Sequence, residues 1–203
     1  MKRAFIWDLD GTLLDSYDAI LLGLEETYQH FGLLFNREEI KAFILRYSVK
    51  ELLSQLSEQE QIPLEELNAV RANSLREKNA QIRLMEGARD ILNWAQEAGI
   101  EQFVYTHKGD NAFAILNELE ISRYFVEILT GDSGFARKPH PEAILYLMDK
   151  YELSPETTYY MGDRFLDVET AQAAGIRSFN LNVETFGNNT QIDVLLMIGE
   201  VLG

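Results

Sequence analysis

The stretch Ala4-Phe5-Ile6-Trp7-Asp8-Leu9-Asp10-Gly11-Thr12 decides how this chain is read. Residues 4 to 9 carry the apolar run of a buried strand, and the run gives way to an acidic turn at Asp8-Leu9-Asp10-Gly11-Thr12. Asp8 and Asp10 stand two apart, so in an extended segment both side chains point the same way. A buried strand that ends in two acids places charge where an apolar core stops, and the rest of the chain decides what surrounds it.

Downstream the period changes. Ile20, Leu21, Leu24, Tyr28 and Phe31 share one face of a helix that Gly32 can end, and Asn36-Arg37-Glu38-Glu39 is a helix start with its acidic partner three residues on. Leu52, Leu53 and Leu56 continue an apolar stripe, and Leu64, Leu67, Val70 and Leu75 predict another helix after Pro63. Residues 15 to about 80 are therefore expected to be all helical. Beyond them helix and strand periods alternate. Helical faces at Ile91–Ala98, Ala112–Leu119, Ile144–Met148 and Val168–Ala171 are interleaved with strands at Gln102–Tyr105, Phe125–Leu129, Thr158–Met161 and Arg177–Asn180, the last expected to close the sheet. Ile192, Leu195, Leu196 and Ile198 suggest a closing helix. This alternation predicts an α/β fold: a Rossmann-like, mostly parallel sheet flanked by helices. The expected domains are an α/β core from residues 1–14 and 84–203, with a small helical insert at 15–83 after the first strand.

The chain has 203 residues, with 18 Lys plus Arg against 33 Asp plus Glu and a formal net charge of -15. That balance argues against an indiscriminate nucleic-acid binder, and a small anionic substrate would need a metal ion or local Lys and Arg to reverse the field. Without cysteine the chain has no disulfides, thiolate nucleophile or Cys-ligated metal. No run reaches the roughly 18 apolar residues of a membrane span, so a cytoplasmic protein is expected. His30, His107 and His140 show no zinc-site spacing, and Trp7 and Trp94 are expected in the core.

Three polar clusters stand directly after predicted strands: Asp8 to Thr12, Thr106-His107-Lys108, and Gly162-Asp163-Arg164 with Asp167. In an open parallel sheet such ends converge on one crevice. Four carboxylates brought together there ask for a hard divalent cation with oxygen ligands, magnesium being favoured. Gly11 permits a sharp turn with backbone N–H groups that can hold phosphate oxygens, Thr106 can add a hydroxyl, and Lys138 supplies the positive charge that phosphoryl transfer needs.

The set resembles the haloacid-dehalogenase-like hydrolase superfamily, in its phosphoglycolate phosphatase and beta-phosphoglucomutase-like branch. The resemblance lies in Asp8 to Ser16, in Thr106, in Lys138-Pro139, and in Gly162-Asp163 followed by Asp167, all in order. It implies a magnesium-dependent phosphatase hydrolysing a small phosphomonoester, such as phosphoglycolate, a sugar phosphate or a nucleotide. Asp8 would be the nucleophile that forms an aspartyl-phosphate and a metal ligand, and Asp10 the general acid and base, with its backbone carbonyl on the metal. Asp163 would ligate the metal directly, and Asp167 would act through water, by orienting neighbours, or as a helix cap. Thr106 and Lys138 would clamp the phosphoryl oxygens, with Gly11 and His107 also on the phosphate. His107 stands where Asn or Ser is common in this branch. The alternatives are beta-phosphoglucomutase-like phosphoryl transfer, or a noncatalytic phosphate-binding or protein-interaction module. Asp10 argues against carbon–halogen cleavage, and Tyr17, Asp18 and Ala19 stand where the mutases carry a His and basic residues.

The insert resembles the family's small cap, with hinges near residues 15 and 83. Within it Arg46 and Lys50 lie four apart, on one helical face if the segment is unbroken, and either contact the leaving group or form a solvated basic face. The expected partner is a small phosphorylated metabolite, without nucleic acid polymer or membrane, for a monomer or homodimer.

Overall fold

A computed structural model describes residues 2–203, apart from the side chains of residues 76 and 77. Met1, with which the core was expected to begin, lies outside the described residues. The chain divides into two compact units: one runs through Asp15 and resumes from Arg83 to Gly203, and the other is Ser16–Ile82.

The first unit is built on a parallel six-stranded sheet. Its strands are β1 (Ala4–Trp7), β4 (Glu101–Tyr105), β5 (Glu127–Leu129), β6 (Thr158–Gly162), β7 (Arg177–Asn180) and β8 (Asn189–Gln191), in the order β5-β4-β1-β6-β7-β8. The first strand is central because both its faces are apolar. Ala4 and Ile6 join Phe103, Tyr105, Leu129, Ile144, Leu147 and Tyr160 in one cluster. Phe5 turns the other way, against the rings of Trp7, Trp94 and Tyr159 at centroid distances of 5.7, 6.3 and 6.0 Å. Each such fully buried side chain stabilises the fold by about 1.5–3 kcal/mol. Helices α5 (Ala88–Glu97), α6 (Asn111–Glu118), α7 (Glu142–Lys150), α8 (Phe165–Ala173) and α9 (Met197–Leu202) complete the unit. The strand order reverses between β4 and β6 on either side of β1, which makes the carboxyl end of β1 the topological switch point.

The second unit has four helices, α1 (Tyr17–His30), α2 (Arg37–Arg46), α3 (Val49–Glu60) and α4 (Leu64–Lys78). Leu21, Leu24, Leu53 and Leu67 form its separate core. Asn36 caps α2 by accepting from the Glu39 N–H at 3.4 Å, and Ser48 caps α3 by accepting from Glu51 at 3.0 Å. Among the described residues no helix is long and apolar enough to cross a membrane.

Four features differ from the sequence reading. Asp15 and Arg83 pair as the antiparallel ladder of β2 (Leu14–Asp15) and β3 (Arg83–Leu84), so both belong to the sheet-bearing unit and the helical unit is one residue shorter at each end. Arg177–Asn180 is not the last strand, because β8 pairs beyond it. The closing helix begins at Met197 rather than near Ile192. The expected strand at 125–129 starts only at Glu127, after a single turn of 3-10 helix at Ser122–Tyr124.

Candidate active site

Asp8 leaves β1 with its backbone N–H still bonded to the Met161 carbonyl of β6 at 2.9 Å, so the sheet itself fixes its position. The turn that follows is wound on one acceptor, the Leu9 carbonyl, which takes the N–H groups of Thr12, Leu13 and Leu14 at 3.1, 3.0 and 2.8 Å. Gly11 makes that winding possible at φ +79°, where a side chain would be strained. Its N–H donates to the Leu14 carbonyl at 2.8 Å, which corrects the expectation that this amide is presented to a phosphate: closing the turn engages it.

Lys138 stands at the centre of the charge cluster. Its side chain is fully buried, and Nζ lies 2.9 Å from Asp8 Oδ1 and 2.8 Å from Asp167 Oδ1. The ammonium also sits over the rings of Tyr105 and Tyr160, 5.3 and 5.2 Å from their centroids. Burial pulls the Lys138 pKa down, but the carboxylates of Asp167 and Asp8 outweigh it and hold the group above its ordinary value. Burial pushes Asp8 above the usual carboxylate range, Lys138 and Arg164 oppose that shift, and Asp167 adds to it. The two tyrosines stay protonated: burial raises both phenols, and each hydroxyl donates to a carbonyl, Tyr160 to Tyr105 at 2.8 Å and Tyr105 to Ala136 at 2.9 Å.

Asp163 and Asp167 come from the turn between β6 and α8. Asp167 Oδ2 accepts the backbone N–H groups of Asp163 and Arg164 at 3.3 and 3.0 Å, while its Oδ1 faces Lys138. Both its oxygens are thus engaged, and Asp167 acts as a support that shapes the turn around Asp163. Carboxylate oxygens of Asp8, Asp163 and Asp167 lie within 4.8 Å of one another, all on buried residues. Asp8 Oδ2 is buried and has no hydrogen-bond partner among the described residues. Three buried acids against one lysine, with an oxygen left over, suit a hard divalent cation, which Asp8 and Asp163 could hold. The carboxylate of Asp10 stands apart from that group and pairs with Lys108 Nζ at 2.8 Å.

Thr106 is buried at the end of β4, where its Oγ1 accepts the Lys108 N–H at 3.1 Å and keeps its own proton for another acceptor. His107 follows it, but Nε2 accepts the backbone N–H of Lys138 at 2.9 Å. That nitrogen carries a lone pair and offers no proton to a phosphoryl oxygen, so any contact of His107 with phosphate would have to come from Nδ1. Arg46 and Lys50 do not share a helical face. Arg46 ends α2, the chain breaks at Tyr47 and Ser48, and Lys50 lies in α3, while the Arg46 guanidinium covers the Tyr47 ring at 5.2 Å. From the sequence Lys108 stands in the polar cluster after the strand without an assigned role, and Tyr105 and Tyr160 are not singled out as site residues. Lys108 was legible as the second residue past Thr106 at a strand end, whereas tyrosines within strands look like ordinary core.

Residues 5–181 match the family model for haloacid dehalogenase-like hydrolases. The chain is 31% identical over 197 residues to phosphoglycolate phosphatase 1 of Pseudomonas aeruginosa, covering 93% of this chain and 71% of that protein. It is 28% identical over 178 residues to the pyrophosphatase PpaX of Oceanobacillus iheyensis, covering 87% of this chain and 81% of that one. Among solved structures, a hydrolase from Streptococcus pneumoniae TIGR4 superposes with a TM-score of 0.65 at 31% identity, over 98% of this chain and all of that one. The chain belongs to the haloacid dehalogenase-like hydrolase family. Within it the protein is an enzyme of the phosphoglycolate-phosphatase-like kind, a phosphatase.

Proposed function

We propose that this enzyme hydrolyses a small phosphomonoester through an aspartyl-phosphate on Asp8, with magnesium as its cation. The observation that carries the reading is the environment of Asp8: one carboxylate oxygen tied to Lys138, the other buried without a hydrogen-bond partner among the described residues. The two relatives are named for phosphoglycolate and for pyrophosphate, both small anionic phosphate compounds; beside Asp8, Asp10, Asp163 and Asp167, the cations Lys108, Lys138 and Arg164 would reverse the local sign for such a substrate only together with a divalent cation.

In the first step an oxygen of Asp8 attacks phosphorus, the bond to the leaving alcohol breaks, and Asp10 gives that alkoxide its proton. Lys138 holds the non-bridging oxygens as charge shifts onto them, and Thr106 donates its remaining proton there. Asp10, now a carboxylate, takes a proton from water, whose oxygen attacks phosphorus. Phosphate departs and Asp8 is restored. A divalent cation would be held by Asp8 and Asp163 and would neutralise the repulsion between carboxylate and phosphate. Asp167 keeps Lys138 and the Asp163 backbone in place.

The test is phosphate release from a panel of small phosphomonoesters and pyrophosphate, with magnesium or excess chelator, for wild type and Asp8→Asn. Turnover that needs the metal and falls by roughly 10⁴-fold or more in the variant is the expected result. Turnover that survives in a folded Asp8→Asn protein would remove the covalent route.

A further inference from the structure

We propose that His107 is a positioning residue for Lys138, holding the loop that delivers the ammonium to the phosphoryl group; the inference rests on the role just given to Lys138. A side chain as long as lysine reaches a fixed point only if its backbone is fixed, and three contacts do this on the segment around residue 138. The Ala136 carbonyl accepts from the Tyr105 hydroxyl at 2.9 Å, and the Ala136 N–H donates to Glu142 Oε2 at 2.7 Å. The Lys138 N–H itself donates to His107 Nε2 at 2.9 Å. This third contact belongs to the residue whose ammonium does the work, so an error there is passed directly to Nζ.

The imidazole is a fixed anchor because its own backbone is locked into the sheet end. Thr106 donates its N–H to Leu129 at 3.0 Å, and Gly131 donates to the Lys108 carbonyl at 2.7 Å. The approach is so close that a Cβ on Gly131 would lie 2.6 Å from the His107 carbonyl oxygen. The Tyr105 ring stands edge-on to the imidazole, 6.4 Å between centroids at 85°. Accepting from an amide requires an unprotonated Nε2, so the ring is neutral with its proton on Nδ1. A side chain acting this way needs an acceptor at the reach of Nε2 and no charge.

The test compares His107→Gln, whose Oε1 can accept at a similar reach, with His107→Leu, which cannot. His107→Leu is expected to lower kcat by roughly 10- to 100-fold, the scale of a displaced catalytic group, and His107→Gln to restore most of that loss. Equal impairment in both variants would overturn the proposal. A second readout needs no turnover: in ¹⁵N-labelled wild type, long-range ¹H–¹⁵N correlations at neutral pH should show the His107 proton on Nδ1 and none on Nε2. A proton on Nε2 would overturn the proposal even if His107→Leu failed to fold. If wild type hydrolyses nothing, the functional reading fails while the tautomer still decides the role of His107.

Discussion

Asp8 is held between two opposing influences. Burial disfavours its charge and Lys138 favours it, and the balance leaves the carboxyl above its ordinary value of 3.8. The sign of the consequence follows. Below that ordinary value Asp8 is neutral in both folded and unfolded chain and contributes no difference. As pH rises, the unfolded chain ionises first and the folded one resists, so the native state loses stability until pH passes the raised native value, above which the loss is complete. Asp8→Asn lacks this loss. Without metal, the variant is expected to melt above wild type at neutral pH, the gap closing as the pH is lowered, which calorimetry at several pH values would read. Magnesium should reverse the order: at a hundred times its Kd a ligand stabilises by about 2.7 kcal/mol, a rise of roughly 5–10 °C for a chain of this size, and Asp8→Asn should gain less. A metal-free variant melting below wild type at neutral pH would mean that the pairing with Lys138 outweighs burial.

At the scale of the element, the turn from β6 into α8 depends on the absence of one side chain. A Cβ on Gly162 would lie 2.5 Å from Asp167 Cβ and 2.6 Å from its Cγ and Oδ2. Asp167 cannot give way without releasing Lys138 and the amides of Asp163 and Arg164. Gly162→Ala is therefore expected to cost about 1–3 kcal/mol by overpacking and to lower activity by roughly 10- to 100-fold through misplaced groups. Gly199→Ala is the control, since its Cβ would come no closer than 3.5 Å to the Trp94 ring, and denaturant melts with rate measurements would separate the two. The Gly162-Asp163 pair was legible as a pattern, but a through-space approach between residues five apart was not. The apolar strands were legible because burial writes itself in side-chain periodicity. β8 was not, because Asn189, Thr190 and Gln191 are held by polar contacts: Asn189 accepts from Ser178 Oγ at 2.8 Å and donates to Val183 and Glu184 at 3.1 and 3.0 Å. The break between Arg46 and Lys50 did have a signal, Ser48 followed by Glu51, the spacing of a helix N-terminus.

Over the whole molecule, the two units carry separate apolar cores, one around Ile6, Phe103 and Tyr160 and the other around Leu21, Leu24 and Leu53. The chain leaves the sheet-bearing unit at Asp15 and returns at Arg83, and these two residues are already paired across an antiparallel ladder. A two-residue Asn-Gly turn closes such a pair with little strain, so residues 16–82 can be replaced by it without stretching either strand. The shortened chain keeps Asp8, Asp10, Thr106, Lys138, Asp163 and Asp167 and the sheet that positions them. If the helical unit selects the leaving group, this variant should unfold in one cooperative transition and keep its response to magnesium. Its kcat/KM should fall, and its preferences among phosphomonoesters should flatten to within about tenfold, since what remains reads little more than the phosphoryl group. Discrimination that survived the deletion would place specificity in the loops of the sheet-bearing unit, with Lys108 and Arg164 the first residues to substitute.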